Sequence, residues 1–286
     1  LKSIVASVGI DDAGVRMAAT STLDPQLSKF QYKNTPGKII SRFPEDTIAM
    51  ISGEGINRWW LAMLEQSKDY PEFNQTVNLA RTQLQRFNIN LDQDVFSWMN
   101  GEFGVGAIPA NQGLLAQVGF GGAFVFNTSD RQTAEKTLSK LDKIVQQQQI
   151  VNVAQTDIGG KKITQWQIPR EGALLSHGWL DKDTVFLAVG DSIAKVVASP
   201  QGKSLDQSED FKTTTGSLAK PNGGYFYLNM EKTVSLLERF ASLRGSPVPP
   251  ELNSILNSIH GIGMAANSPD KSTSELELLF ALKTKE

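Results

Sequence analysis

The chain has 286 residues, 40% of them hydrophobic and 20% charged, with a formal charge of −2. It is long enough to bury a sizeable core and too apolar to be disordered. The near-neutral balance, with Lys and Arg scattered beside acids, excludes a basic nucleic-acid face. The absence of cysteine excludes disulfides, thiolate metal sites and cysteine nucleophiles.

The first residues read as a strand: Ile4, Ala6, Val8 and Ile10 alternate with Ser3, Ser7 and Gly9. Asp11-Asp12-Ala13-Gly14 supplies a hairpin turn, and Val15, Met17 and Ala19 continue a second strand. A chain opening in mid-hairpin is expected to follow an upstream segment: a signal peptide, a membrane anchor or a preceding copy of the unit. Residues 23 to 41, with Pro25, Pro36 and Gly37, read as a polar connector. Phe43–Leu64 (FPEDTIAMISGEGINRWWLAML) then reads as a strand, a sharp turn and an amphipathic helix. Ile56, Trp59, Trp60, Met63 and Leu64 stand on one helical face. A second helix opens after Pro71.

Strands follow at Phe103–Ile108 and Gln117–Phe126. Asn127–Asp130 caps a helix carrying Ala134, Leu138, Leu141 and Val145. A hairpin turns at Gly159-Gly160, and a strand covers Leu174–Leu180. LDKDTVFLAVGDSIAKVVA at Leu180–Ala198 and AKPNGGYFYLNMEKTVSLLERF at Ala219–Phe240 repeat the strand–turn–helix pattern of Phe43–Leu64. The closing hairpin, Asn257–Ala266 and Leu276–Leu282, resembles the opening one. The expected fold class is α+β: antiparallel sheets with helices packed on one face, built from repeated β-α-(α)-β-β units. Residues 1–38 read as the closing hairpin of a truncated unit plus connector, 39–168 as a first unit and 169–286 as a second. The two form one continuous sheet or two lobes dividing near Ile150–Pro169.

The order of several weak motifs carries a resemblance. FPEDT with its strand, LDQDVFSWMNGEFGVGAIP at Leu91–Pro109, GGAFVFNTSDRQTAEKTL at Gly121–Leu138 and SEDFKTTTGSLAKPNGGYFYLNM at Ser208–Met230 resemble a bacterial domain-of-unknown-function family common in cyanobacteria. The resemblance runs from about Ile39 to Leu282. It implies a longer protein with an N-terminal membrane anchor and most of the chain outside the cytoplasm, on the periplasmic or thylakoid-lumen side. The family carries no established activity, so it transfers no catalytic residue and no cofactor.

Motifs that mimic chemistry have plainer readings. Gly190-Asp191-Ser192 resembles the nucleophile block of GDS-type esterases, with Ser192 as the candidate serine. Those enzymes need a histidine three residues after an aspartate, whereas His177 follows Leu174 and His260 follows Asn257. The blander reading places Ser52-Gly53-Glu54, Asp191-Ser192 and Asn229-Met230-Glu231 at three helix N-caps. Gly202-Lys203-Ser204 lacks the upstream glycine and strand of a phosphate loop. The glycines at 101–106 and 119–122 lie inside strand patterns, where they mark bulges or close backbone approach. The two histidines and scattered carboxylates show no metal-ligand spacing. Trp59, Trp60 and Met63 form the candidate apolar surface or groove; packing of the helix on the sheet is the competing reading. The expected function is a non-enzymatic module that binds protein partners or scaffolds at a membrane. The alternatives are a carrier of lipid or small hydrophobes and a serine hydrolase using Ser192.

Overall fold

The computed structural model describes residues 2–24, 31–66, 70–149 and 151–283. Twelve strands form one antiparallel sheet: β1 (Ser3–Asp11), β2 (Gly14–Thr22), β3 (Ala49–Glu54), β4 (Glu102–Pro109), β5 (Phe120–Asn127), β6 (Asn152–Ile158), β7 (Lys161–Ile168), β8 (Gly172–Trp179), β9 (Thr184–Val189), β10 (Tyr225–Asn229), β11 (Ile259–Asp270) and β12 (Thr273–Leu282). Their order across the sheet is β1-β2-β12-β11-β10-β3-β4-β5-β9-β8-β7-β6. Among the described residues the α-helices are α1 (Ile56–Gln66), α2 (Pro71–Gln85), α3 (Arg131–Gln147), α4 (Asp191–Ala198), α5 (Glu209–Thr215), α6 (Met230–Leu243) and α7 (Pro250–Ser258). The α+β class stands. The three sequence segments contribute strands to the same sheet.

The strand order reads alike in both directions from the central β10–β3 pair. β3-α1-α2-β4-β5 steps outward one way and β10-α6-α7-β11-β12 the other. β5 is followed outward by β9, and β12 by β2.

Strand parity divides the side chains between two faces. On the core face, Met50 lies opposite Gly106 and Tyr227, and Tyr227 opposite Gly263. Phe43, Ile193, Val197, Leu205 and Phe211 close over this face as one buried cluster with Phe186 and Val125. Gly104 and Gly106 are where the Phe43 ring lies against the sheet. A Cβ on either would come within 2.5 Å and 2.7 Å of that ring. At Gly104 and Gly106 the expected close approach is therefore a seat for one aromatic ring, while Gly101 lies against the Asn127 backbone.

Helices pack on both faces rather than on one. α4 and α5 belong to the core-face cluster, while Ala134 and Leu138 of α3 pack with Trp98, Phe103, Phe126 and Val185 on the opposite, outer face. The sequence of β5 and β9 explains this. Val125 pairs with Phe186 and Phe126 with Val185, so both parities are apolar and both need cover.

The three proposed N-caps separate. Asn229 caps α6 by accepting from the Lys232 N–H. Gly190 occupies the cap of α4, and Asp191 instead pairs with Lys195 at 2.7 Å. Ser52 stays inside β3 and its hydroxyl accepts from the Tyr225 N–H, just beyond the end of the β10–β3 ladder. Among the described residues no helix is long and apolar enough to cross a membrane.

Candidate binding surface

The outer face carries an unbroken apolar row. Phe124, Val105, Ile51, Phe226, Met264, Leu278, Met17 and Val8 lie side by side on eight consecutive strands, from β5 to β1. At ~4.8 Å per strand the row spans roughly 34 Å. A second row beside it holds Ala107, Ala49, Leu228, Ile262, Phe280, Val15 and Ile10. Neither row contains a charged or hydrogen-bonding side chain.

These rows are not covered as the core face is. Ile51 is 48% exposed, Phe124 38% and Met17 40%, and Leu276, beside Leu278 on the same face of β12, is 40% exposed. Met50 and Tyr227, one residue away on the core face, are 1% and 0% exposed. Taking roughly 200 Å² for a large side chain, these four with Val8, Ile10 and Ile4 expose on the order of 700 Å². That exceeds the ~300–600 Å² of the largest apolar patch on an ordinary monomer.

The sequence-selected aromatics sit beside this face, but the structure separates them. The Trp59 ring meets Phe103 and Tyr32 edge-on, with centroids at 6.3 and 5.9 Å, and remains 41% exposed, as does Met63. Trp60 turns the other way. It stacks on Phe96 at 4.2 Å, and its Nε1 donates to Asp92 Oδ1 at 2.6 Å. Arg81 donates to both oxygens of the same carboxylate, at 3.0 and 3.1 Å. Asp92 thus ties α1, through Trp60, and α2, through Arg81, to the π-helical turn Leu91–Phe96. Burial works against the Asp92 charge, but the Arg81 and Trp60 hydrogen bonds prevail and hold the carboxyl below its ordinary range. Asp94 on the same turn is also lowered, chiefly by the Asn90 N–H, with Lys140 assisting.

Ser192 is the second residue of α4, which packs on the core face. His177 points to the outer face, its Nε2 2.8 Å from Asp142 Oδ1 on α3. Trp166 donates to the same oxygen at 2.7 Å. His260 lies 3.4 Å from Asp210. His177 is therefore engaged with a carboxylate away from Ser192. Among the described residues His260 Nε2 lies near Asp210 without a hydrogen-bond partner, and no hydrogen bond links Ser192 to either histidine. The arrangement lacks the base that would activate that hydroxyl.

A cleft of about 870 Å³ opens between residues 35–42, Asp181–Thr184 and Lys220–Asn222. Its ionic side chains mix signs, and Arg42 closes on Asp181 at 2.5 Å. Asp181 also accepts from the N–H groups of Asp183 and Thr184, as a turn-forming aspartate does.

The outer face was not among the residues singled out from sequence. Its signal was present in β3, β5, β10 and β11, where neighbouring positions such as Met50-Ile51 and Phe124-Val125-Phe126 are apolar at both parities. Such runs announce two apolar faces without saying which one the chain itself covers.

Comparison with known proteins adds the following. No curated protein matches the chain. Two solved structures resemble it distantly. Crystal form I of TP0453 is 6% identical, with 87% of this chain and 81% of that one covered and a TM-score of 0.39. Crystal form III is 9% identical, with 87% and 82% covered and the same TM-score. Likeness at that level carries no argument. A family model described as "Protein of unknown function (DUF3352)" matches residues 1–282. The chain therefore belongs to this family of proteins of unknown function.

Proposed function

We propose that this chain is a non-enzymatic docking module that holds a protein partner on the outer face of its sheet. The observation that carries the reading is the charge-free row from Phe124 to Val8, left partly open while Met50, Tyr227 and Leu279 on the opposite face are fully buried. Exposed apolar area of this size marks interaction surfaces. The motif order that resembles a membrane-anchored bacterial family supports placing the module outside the cytoplasm and close to a membrane. The matching strand order on either side of β10–β3 supports a unit used twice, extended on one side by β9 next to β5 and on the other by β2 next to β12.

Affinity capture from native membranes tests this, using the wild-type chain and an Ile51→Lys/Phe124→Lys variant. Both positions are exposed, so the variant keeps its core. A partner held by the wild type and released by the variant supports the reading. Equal capture by both, or no reproducible partner, overturns it. A carrier of lipid or small hydrophobes is the second reading, favoured by the absence of any polar anchor along the same row. Mass spectrometry of an organic extract of the purified protein distinguishes it.

A further inference from the structure

The cleft of about 870 Å³ has the size of a small-molecule site, for which about 300–1,000 Å³ is usual. It borders the core-face cluster through Ile39, Ile40 and Phe211. Its walls are held in place. The Glu102 carboxylate accepts from the Gly37 and Ile39 N–H groups at 2.9 and 3.0 Å, and the Thr35 N–H donates to the Asn222 carbonyl at 2.9 Å. Aromatic surface lines the cleft at Phe211 and Tyr225, whose rings meet edge-on with centroids 5.8 Å apart. Asn127 also lines it, at the end of β5 and on the parity of Val125. Its Oδ1 is buried and has no hydrogen-bond partner among the described residues. A buried acceptor without a donor is costly, and native proteins satisfy nearly all of them.

Charge in the cleft leans toward cations, although the chain as a whole is at −2. Lys38, Arg42, Lys182 and Lys220 come from three separate stretches and face three carboxylates. Those carboxylates are already engaged. Asp181 takes Arg42 and two backbone N–H groups, Asp183 lies 3.5 Å from Lys182, and Asp206 accepts from the Ser204 hydroxyl at 2.6 Å. Lys38 and Lys220 have no side-chain hydrogen bond or ion pair among the described residues, and Arg42 uses only its Nη2. We propose that this cleft binds a small aromatic acid. The ring rests against Phe211 and Tyr225, the carboxylate takes Lys38, Lys220 and the free arm of Arg42, and a hydroxyl or amino group donates to Asn127 Oδ1. Few polar groups placed around an apolar wall fix a ligand's orientation in this way.

Calorimetric titration with 4-hydroxybenzoate tests the proposal, since this probe carries the ring, the acid and the donor. A dissociation constant on the order of 1 mM or tighter is expected for so small a ligand. Neutral 4-hydroxybenzamide should bind roughly tenfold more weakly, the scale of two part-exposed ion pairs. Inorganic phosphate, without the ring, should also bind more weakly than the acid. Lys38→Gln/Lys220→Gln changes two exposed side chains, so its circular dichroism should match the wild type while its affinity for the acid falls to that for the amide. The Ile51→Lys/Phe124→Lys variant should bind the acid as the wild type does, which separates this site from the docking face. No binding of the acid at about 10 mM, ten times the expected constant, overturns the proposal. So does equal binding of acid and amide, or full affinity in the double glutamine variant. Phosphate binding as tightly as the acid also overturns it, because the cleft would then read charge alone.

Discussion

Met50 and Ile51 are consecutive residues of β3 that point to opposite faces, and together they test whether only one face is core. Met50 is enclosed with Phe43, Ile108 and Tyr227, so Met50→Ala removes three heavy atoms from a packed site. Such truncations cost about 2–5 kcal/mol. For a chain of this size that lowers the melting temperature by roughly 5–15 °C. Ile51 lies between Val105 and Phe226 with about half of its surface already in water. Full burial of an isoleucine is worth about 1.5–3 kcal/mol, so at most about 1.5 kcal/mol is at stake in Ile51→Thr, which keeps the β-branched strand preference. Paired thermal and urea unfolding of the two variants measures the ratio. A several-fold larger loss for Met50→Ala is expected. Equal losses would mean that something within the chain covers Ile51, and the two-face description would fail.

Three further outcomes follow from particular contacts. Gly104→Ala places a Cβ 2.5 Å from Phe43 Cε2, and overpacking of this kind costs about 1–3 kcal/mol. Adding Phe43→Leu should recover part of that loss, and a strictly additive double variant in urea melts would refute the contact. Burial pushes the Tyr227 phenol up to about 12 despite a hydrogen bond from Asn229. A group raised in the folded state contributes fully below its unfolded value near 10 and loses that contribution as pH climbs through 12. Up to about 2–3 kcal/mol should therefore disappear between pH 10 and 12, and Tyr227→Phe should flatten that limb of a stability–pH curve. Asp92 and Asp94 titrate below the usual carboxylate range, so their contribution is present above about pH 4 and fades as acid protonates them. Asp94→Asn should weaken the acid dependence of the urea midpoint, and an unchanged acid limb would show that the Asn90 and Lys140 bonds contribute nothing.

Local pattern revealed most of the elements. Period-two alternation marked β1 and β2, Pro71 opened α2, and Asp130 capped α3, because each signal depends only on near neighbours. Long-range choices were less legible. Asn229 caps a helix while Ser52, at the matching position, serves a neighbouring strand, and only the pairing of β3 with β10 decides between those uses. The fate of Trp60 depended on Asp92 and Phe96 some thirty residues later, on a π-helical turn that periodicity does not announce. On β12 the prominent Leu276, Leu278 and Phe280 face outward, whereas Leu279 and Ala281 reach the core. Alternation identifies two faces, and the register of the whole sheet assigns them.

Carbene footprinting of the isolated chain, read residue by residue, tests the open face most directly. Heavy labelling is expected along Phe124, Ile51, Leu276 and Met17, with Met50, Tyr227 and Leu279 left unmarked. Protection of both sets alike in the lone chain would contradict the account, because the outer rows would then be covered from within.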